Sequence, residues 1–141
     1  MKILVAVDGS TFTKRMLGYL AAHDEWLGGA HQYTVLHCVS AVPPRAAAVI
    51  DKATLKAYYD DEAEKVLRPI RAFFSRKRDL KVDFAVKTGA AADHIASTAT
   101  KGDYDMVILG SHGHGALGNL VMGSVATKVL AHCKTPVLLV R

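Results

Sequence analysis

The residue types best suited to chemistry gather in one stretch, Gly110-Ser111-His112-Gly113-His114-Gly115-Ala116-Leu117-Gly118-Asn119-Leu120-Val121-Met122-Gly123-Ser124-Val125. It leaves an apolar segment that reads as a strand and ends where a helix can begin, with Ser124 the expected N-cap. Glycines let a backbone turn tightly and approach a ligand closely, and a helix start offers unpaired N–H groups with positive partial charge. Together they suit a phosphate-bearing ligand, at the carboxyl end of a strand where open α/β sheets bind. Gly113-x-Gly115-x-x-Gly118 matches the dinucleotide fingerprint literally, but no helix begins directly on it. About twenty residues on, where that fingerprint needs an acid, the chain reads Val-Leu-Leu-Val. The Walker A reading fails as well, because Asn119 and Leu120 stand where Lys and Ser/Thr are required. His112 and His114 without a third ligand make a weak metal site, so no metal residues are assigned. No Ser-His-Asp order, paired carboxylates or acid-terminated Walker B strand accompanies the loop, so no catalytic residues are assigned either.

Elements must hold this loop in place, and hydrophobic patterning predicts them. Ile3 to Val7, Tyr33 to Val39 and Met106 to Leu109 are apolar without alternation, the pattern of strands buried on both faces of a parallel sheet. Val82, Phe84 and Val86 alternate with Lys81, Asp83 and Lys87, predicting a strand with one exposed face. Val137 to Val140, after Pro136, is the fifth. Helical spacing predicts helices over 13–27, over about 52–78, over 90–100 and over 124–132. The second has a core stripe of Leu55, Tyr59, Ala63, Val66, Leu67, Ile70, Phe73 and Phe74, and Pro69 should kink or split it. Ser40 to Ile50, with Pro43-Pro44 and an alanine run, reads as an irregular loop lying over a site. The βαβαβαβαβ order implies right-handed crossovers and helices on both faces of a parallel sheet, a three-layer α/β fold.

The chain has 141 residues, half of them hydrophobic, which predicts one domain over residues 1–141 and excludes disorder as the default. Net charge is +5, but Lys65 to Lys81 alone carries +6 and the other 124 residues net to −1. Asp60, Asp61, Glu62 and Glu64 lie just upstream, so acids and bases follow the polarity of one helix macrodipole. Without aromatic interleaving or a helix-turn-helix pattern, that segment reads as a solvated helix face, and no nucleic-acid partner is expected. No apolar run approaches the ~18 residues of a membrane span, and five apolar residues before Asp8 fall short of a secretory core of ~7–15. Cys38 and Cys133 form no CxxC pair and read as buried, reduced thiols. No membrane partner and a cytoplasmic location are the expectations.

Gly110-x2-Gly113-x9-Gly123-Ser124 is similar to the G-2x-G-9x-G-[S/T] pattern of the universal stress protein family. The opening strand through Asp8-Gly-Ser10, Leu36-His37-Cys38-Val39, Tyr104 to Ser111, Gly123 to Leu130 and Thr135 to Arg141 resemble that family's corresponding segments, so the likeness spans essentially the whole chain. Gly89-Ala90-Ala91-Ala92 departs from the family's GxP after the third strand, and His112 and His114 stand where many relatives carry arginine or other residues.

The resemblance implies an open five-stranded sheet of order 3-2-1-4-5, the adenine nucleotide alpha hydrolase-like fold. It implies an adenine nucleotide as ligand, ATP or else ADP or AMP, with or without Mg²⁺. Carried over to this chain, the aspartate ending the first strand is Asp8, which would lie near ribose and phosphates with Ala6 and Val7 beside it. Cys38 would meet the adenine through its backbone, and Gly110, His112, Gly113, Gly123, Ser124 and Val125 would meet ribose and phosphate. The resemblance also implies a homodimer through Val137, Leu138, Leu139 and Val140, which would cover an apolar edge strand. The functional expectation is a nucleotide-dependent regulatory module of the stress response. The alternatives are a slow ATPase or phosphotransfer protein and a nucleotide-independent dimeric scaffold.

Overall fold

A computed structural model describes residues 1–23, 28–77, 79–115 and 121–141. The end expected for the first helix at Leu27, that expected for the second at Arg78, and Ala116 to Leu120 of the glycine loop lie outside the described residues.

Strand β1 (Lys2–Val7) is central because its apolar run can be buried on both faces: Ile3, Leu4 and Val5 are wholly buried. It pairs in parallel with β2 (Gln32–Val39) on one side and β4 (Met106–Gly110) on the other, with Val5 opposite Val35 and Ile108. Strand β3 (Lys81–Thr88) flanks β2, and β5 (Val137–Val140) flanks β4, giving the order β3-β2-β1-β4-β5 that the family resemblance implies.

Alternation along β1 divides the core into two layers. Ile3, Val5 and Val7 pack with Met16, Leu17 and Leu20 of α1 (Thr11–Ala22) and with Leu67, Ile70 and Phe74 of α3 (Lys52–Ser75). Leu4 and Ala6 face the other layer, built on Ala92, Ile95 and Ala99 of α4 (Ala91–Lys101) and on Ala126 and Val129 of α5 (Ser124–His132). Each fully buried aliphatic side chain contributes roughly 1.5–3 kcal/mol.

Two local expectations change. Helix α3 is one element of 24 residues despite Pro69. Pro69 and Lys65, whose carbonyl loses its amide partner, are both exposed, so water can satisfy that carbonyl and the helix continues. The 40–50 segment is not wholly irregular: α2 (Pro44–Ala47) makes one turn, started by Pro44 at a position where its missing N–H costs nothing. The amide of Val42 donates to the Tyr59 hydroxyl at 2.9 Å and ties the segment to α3. Acids and bases on α3 pair along the exposed helix, Lys56 with Asp60, Lys65 with Asp61 and Glu62, and Arg71 with Glu64. Among the described residues no helix is long and apolar enough to cross a membrane.

Candidate functional site

A cavity of about 390 Å³ opens at the carboxyl ends of β1, β2 and β4, on the layer that holds α4 and α5. Its volume falls within the range of small-molecule sites. Its wall contains Ala6, Val7, Asp8, Cys38, Gly110, His112, Gly113, Gly123, Ser124 and Val125, so the structure brings together every residue singled out from the sequence. Leu36, Ala91, Ile95, Leu109 and Ala126 add an apolar side, and Thr13, His114 and Gly115 complete the rim. Leu36 was legible in principle, since it lies two residues before Cys38 on the same strand face. Ala91 and Ile95 were not, because they reach the cavity only through the packing of α4. The expectation that the 40–50 segment lies over the site finds no support in the wall, which none of its residues lines.

The turn after β1 holds Asp8 in a fixed pose. Its Oδ1 accepts from the Ser10 amide at 2.9 Å and from the Thr13 hydroxyl at 2.9 Å. The Thr13 oxygen in turn accepts from the Asp8 and Gly9 amides at 3.1 and 3.2 Å. Gly9 adopts φ +78°, in the left-handed region that favours glycine, which lets the turn close. Burial opposes the Asp8 charge, but hydrogen bonds from Ser10 and Thr13 and the proximity of His114 outweigh it, and the carboxyl titrates below its usual value. Asp8 is therefore an ionised, oriented carboxylate at neutral pH.

The glycine loop is pressed against this turn. A Cβ built on Gly113 would stand 2.5 Å from Asp8 Oδ2. One on Gly110 would stand 2.8 Å from the Phe12 Cβ, and one on Gly123 3.0 Å from the His112 Cα. The spacing of the motif is thus a spacing of close approaches within the protein, in addition to anything it allows a ligand. His114 bridges the loop to the turn after β1, its Nε2 2.7 Å from the Asp8 carbonyl oxygen. His112 has Nδ1 3.0 Å from the hydroxyl of buried Ser111, and its ring is tilted against Phe12 at a centroid distance of 5.0 Å.

Helix α5 points its amino end at the cavity. Gly123, not Ser124, is the N-cap, with extended φ −71° and ψ 159°. Its amide donates to the Ser111 carbonyl at 2.8 Å and its carbonyl accepts from the Thr127 amide at 3.0 Å. Ser124 is the first helical residue and makes no side-chain cap. The first-turn amides of Ser124, Val125 and Ala126 have no acceptor within the helix, and no acidic residue stands in that turn. Donors and dipole together form an anion-accepting end beside the apolar wall.

Cys38 lines the opposite side; it and Cys133 are free thiols as expected, but both are partly rather than wholly buried. Burial pushes the Cys38 thiol up to about 11, against the opposing pull of Lys87. Among the described residues, no three His, Cys, Asp or Glu side chains group to hold a metal ion.

A five-stranded parallel sheet with helices on both faces, and a glycine loop leading from its fourth strand to an open helix start, defines a three-layer α/β protein of the adenine nucleotide alpha hydrolase-like class. The universal stress protein family model matches residues 1–141, and the chain belongs to that family. A universal stress protein of Thermus aquaticus is 32% identical over 139 residues, covering 99% of this chain and 97% of that one. Among solved structures, UspA of Lactobacillus plantarum superposes with a TM-score of 0.81 at 20% identity, over 100% of this chain and 97% of its own. An Arabidopsis thaliana family member with AMP bound has a TM-score of 0.69 at 15% identity, over 99% and 90% of the two chains. The Archaeoglobus fulgidus universal stress protein in complex with dAMP has a TM-score of 0.68 at 20% identity, over 100% and 98%.

Proposed function

We propose that this chain binds an adenine nucleotide in the cavity, with ATP the first ligand to test and ADP or AMP the alternatives, and that its occupancy is read by a partner as a regulatory state in a cytoplasmic stress response. The observation that carries this reading is the start of α5, with no side-chain cap over its first-turn amides, facing an apolar slot across the glycine loop. A base would lie against Leu36, Ile95 and Leu109, with the Cys38 backbone at its edge. Phosphates would take the amides of Ser124 and Val125 and the approach left by Gly113 and Gly123, with Gly110 and His112 nearby. Asp8, with Ala6 and Val7 beside it, would accept from ribose hydroxyls, which its ionised and anchored carboxylate suits. Mg²⁺, where present, would enter with the phosphates. Family members bound to AMP and dAMP support the same ligand class.

The residues on the wall support binding rather than rapid chemistry, so any ATP hydrolysis is expected to be slow. Assembly is the second part of the reading. Val137, Leu138 and Leu139 are only half-buried on an edge strand, and a two-fold partner on β5 would cover them with Val140. Light scattering should report a dimer that Leu138→Asp converts to monomer; a monomeric wild-type chain at tens of micromolar overturns the dimer.

Ser124→Pro tests the site with little disturbance of the fold. Proline is favoured at the first helical position, and extended Gly123 is compatible with a following proline. The substitution deletes one donor to the phosphates, worth about 1.5–3 kcal/mol for a charged acceptor, so ATP affinity should fall roughly tenfold or more while the melting temperature holds. Ser124→Ala, which keeps the amide, should bind nearly as the wild type does. Calorimetry with ATP, ADP and AMP, each with and without Mg²⁺, ranks the ligands. No binding at millimolar concentration, or undiminished binding by Ser124→Pro, overturns the assignment.

A further inference from the structure

We propose that His112 and His114 are the cationic side chains that meet the phosphates, so that nucleotide binding is coupled to proton uptake and strengthens as pH falls through neutrality. The inference rests on the nucleotide reading above and deepens it. The described wall contains neither lysine nor arginine; its ionisable side chains are Asp8, Cys38, His112 and His114. The sequence from Gly110 to Gly123 also lacks any lysine or arginine. Imidazole is the side chain whose charge ordinarily changes between about pH 5 and 8. With both rings neutral, the wall presents the Asp8 carboxylate alone to an incoming anion. With both protonated, its net side-chain charge changes from −1 to +1, on these four groups with the Cys38 thiol uncharged.

Both rings are held beside the place where phosphate would sit. Gly113 lies between them and is pressed against Asp8 Oδ2. The Asp8 carbonyl can only accept, so His114 donates to it from Nε2 at 2.7 Å, and protonation adds a second N–H at Nδ1. His112 is steadied by the Ser111 hydroxyl at 3.0 Å and by Phe12, whose ring also lies 5.2 Å from the Arg15 guanidinium. Among the described residues, the titratable and charged groups around the pair include Asp8 after β1, Arg15 on α1 by way of Phe12, and Cys38 on β2 with Lys87 of β3 acting on it. The first turn of α5 adds no acid. His37 is bonded to the Val7 carbonyl at 2.9 Å and does not line the cavity. A phosphate added to this arrangement favours the charged imidazoles, and by linkage the charged imidazoles favour phosphate.

The test is calorimetric titration of the full chain with ATP at about pH 6, 7 and 8, in two buffers of different ionisation enthalpy, for wild type, His112→Gln, His114→Gln and the double variant. The terminal phosphate itself titrates in this range, so the reading is the difference between wild type and variant. Wild-type affinity should rise about tenfold more than that of the double variant between pH 8 and pH 6, with net proton uptake. Each single variant should lose part of the rise, while remote His132→Gln keeps all of it. Thermal melts followed by circular dichroism establish that the variants are folded, and adenosine, which lacks phosphate, should show no such slope. Equal slopes for wild type and the folded double variant, or the same slope with adenosine, overturn the inference and leave the nucleotide reading standing. Failure of ATP to bind wild type at any pH overturns both.

Discussion

Gly113→Ala offers a sharp test of the site's internal geometry. The new Cβ would stand 2.5 Å from Asp8 Oδ2, so either the loop or the carboxylate must move. The carboxylate is not free to yield, because its other oxygen is held by the Ser10 amide and the Thr13 hydroxyl, both at 2.9 Å. Overpacking of this kind costs about 1–3 kcal/mol. Gly113 lacks a positive φ, so alanine also recovers about 0.4–1 kcal/mol by restricting the unfolded chain. The net loss should be roughly 0–2.6 kcal/mol. At about 2.1 cal/mol/K of unfolding entropy per residue, each kcal/mol lowers the melting temperature by about 3 °C for a chain of this length. Scanning calorimetry should therefore find a fall of up to about 8 °C, together with weaker ATP binding as Asp8 is displaced. The cause is isolated by a double-mutant cycle with Asp8→Ala, which removes the atom that alanine strikes. The double variant should be less destabilised than the sum of the singles by at least about 0.5 kcal/mol. Strict additivity, or a Gly113→Ala protein with wild-type melting temperature and affinity, would refute the reasoning.

Three further outcomes follow from the same structure. Gly18→Ala should stabilise by about 0.5–1 kcal/mol, because Gly18 is exposed within α1 and its Cβ would meet nothing within 4 Å; a lowered melting temperature in the same assay contradicts this. The Asp8 carboxyl titrates below its ordinary 3.8 when folded, so its contribution is complete above about pH 4 and is lost as pH falls through the folded value. Acid denaturation of Asp8→Asn should accordingly be shallower over that range than that of wild type, and parallel curves would remove Asp8 from the account. The Cys38 thiol, pushed up to about 11 by burial, should alkylate at pH 8 far more slowly than in the denatured chain; mapping by mass spectrometry checks this, and equal rates contradict it.

Several parts of the site could be read in the linear chain, for identifiable reasons. The unbroken apolar run of β1 marks a strand covered on both faces, and Ile3, Leu4 and Val5 are indeed wholly buried. The glycine spacing marks a loop of close approaches, and its residues converge on one cavity with Asp8 and Cys38. The apparent basicity resolves in sequence too, since +6 of the charge lies in 65–81, away from the glycine loop. Finer points were hidden. The cap of α5 moves from Ser124 to Gly123 because the Gly123 backbone, bonded to Ser111 and Thr127, closes the helix start without a side chain. Pro69 leaves α3 whole because it lies on the exposed face, a property that depends on how the helix is rotated against the sheet.

Local patterning by itself determined the kinds of element, their order and the loop that could accept an anion, because periodicity and glycine content act over a few residues. Family likeness added the strand order. Only the tertiary structure decided why Gly113 must be glycine, since the carboxylate it would strike belongs to Asp8, 105 positions earlier. The fold likewise decided that His114 reaches the Asp8 carbonyl and that Ile95 and Leu36 meet across one cavity. Such contacts arise from the crossovers that bring the carboxyl ends of β1, β2 and β4 side by side, and no local pattern in the chain encodes a distance between residues so far apart.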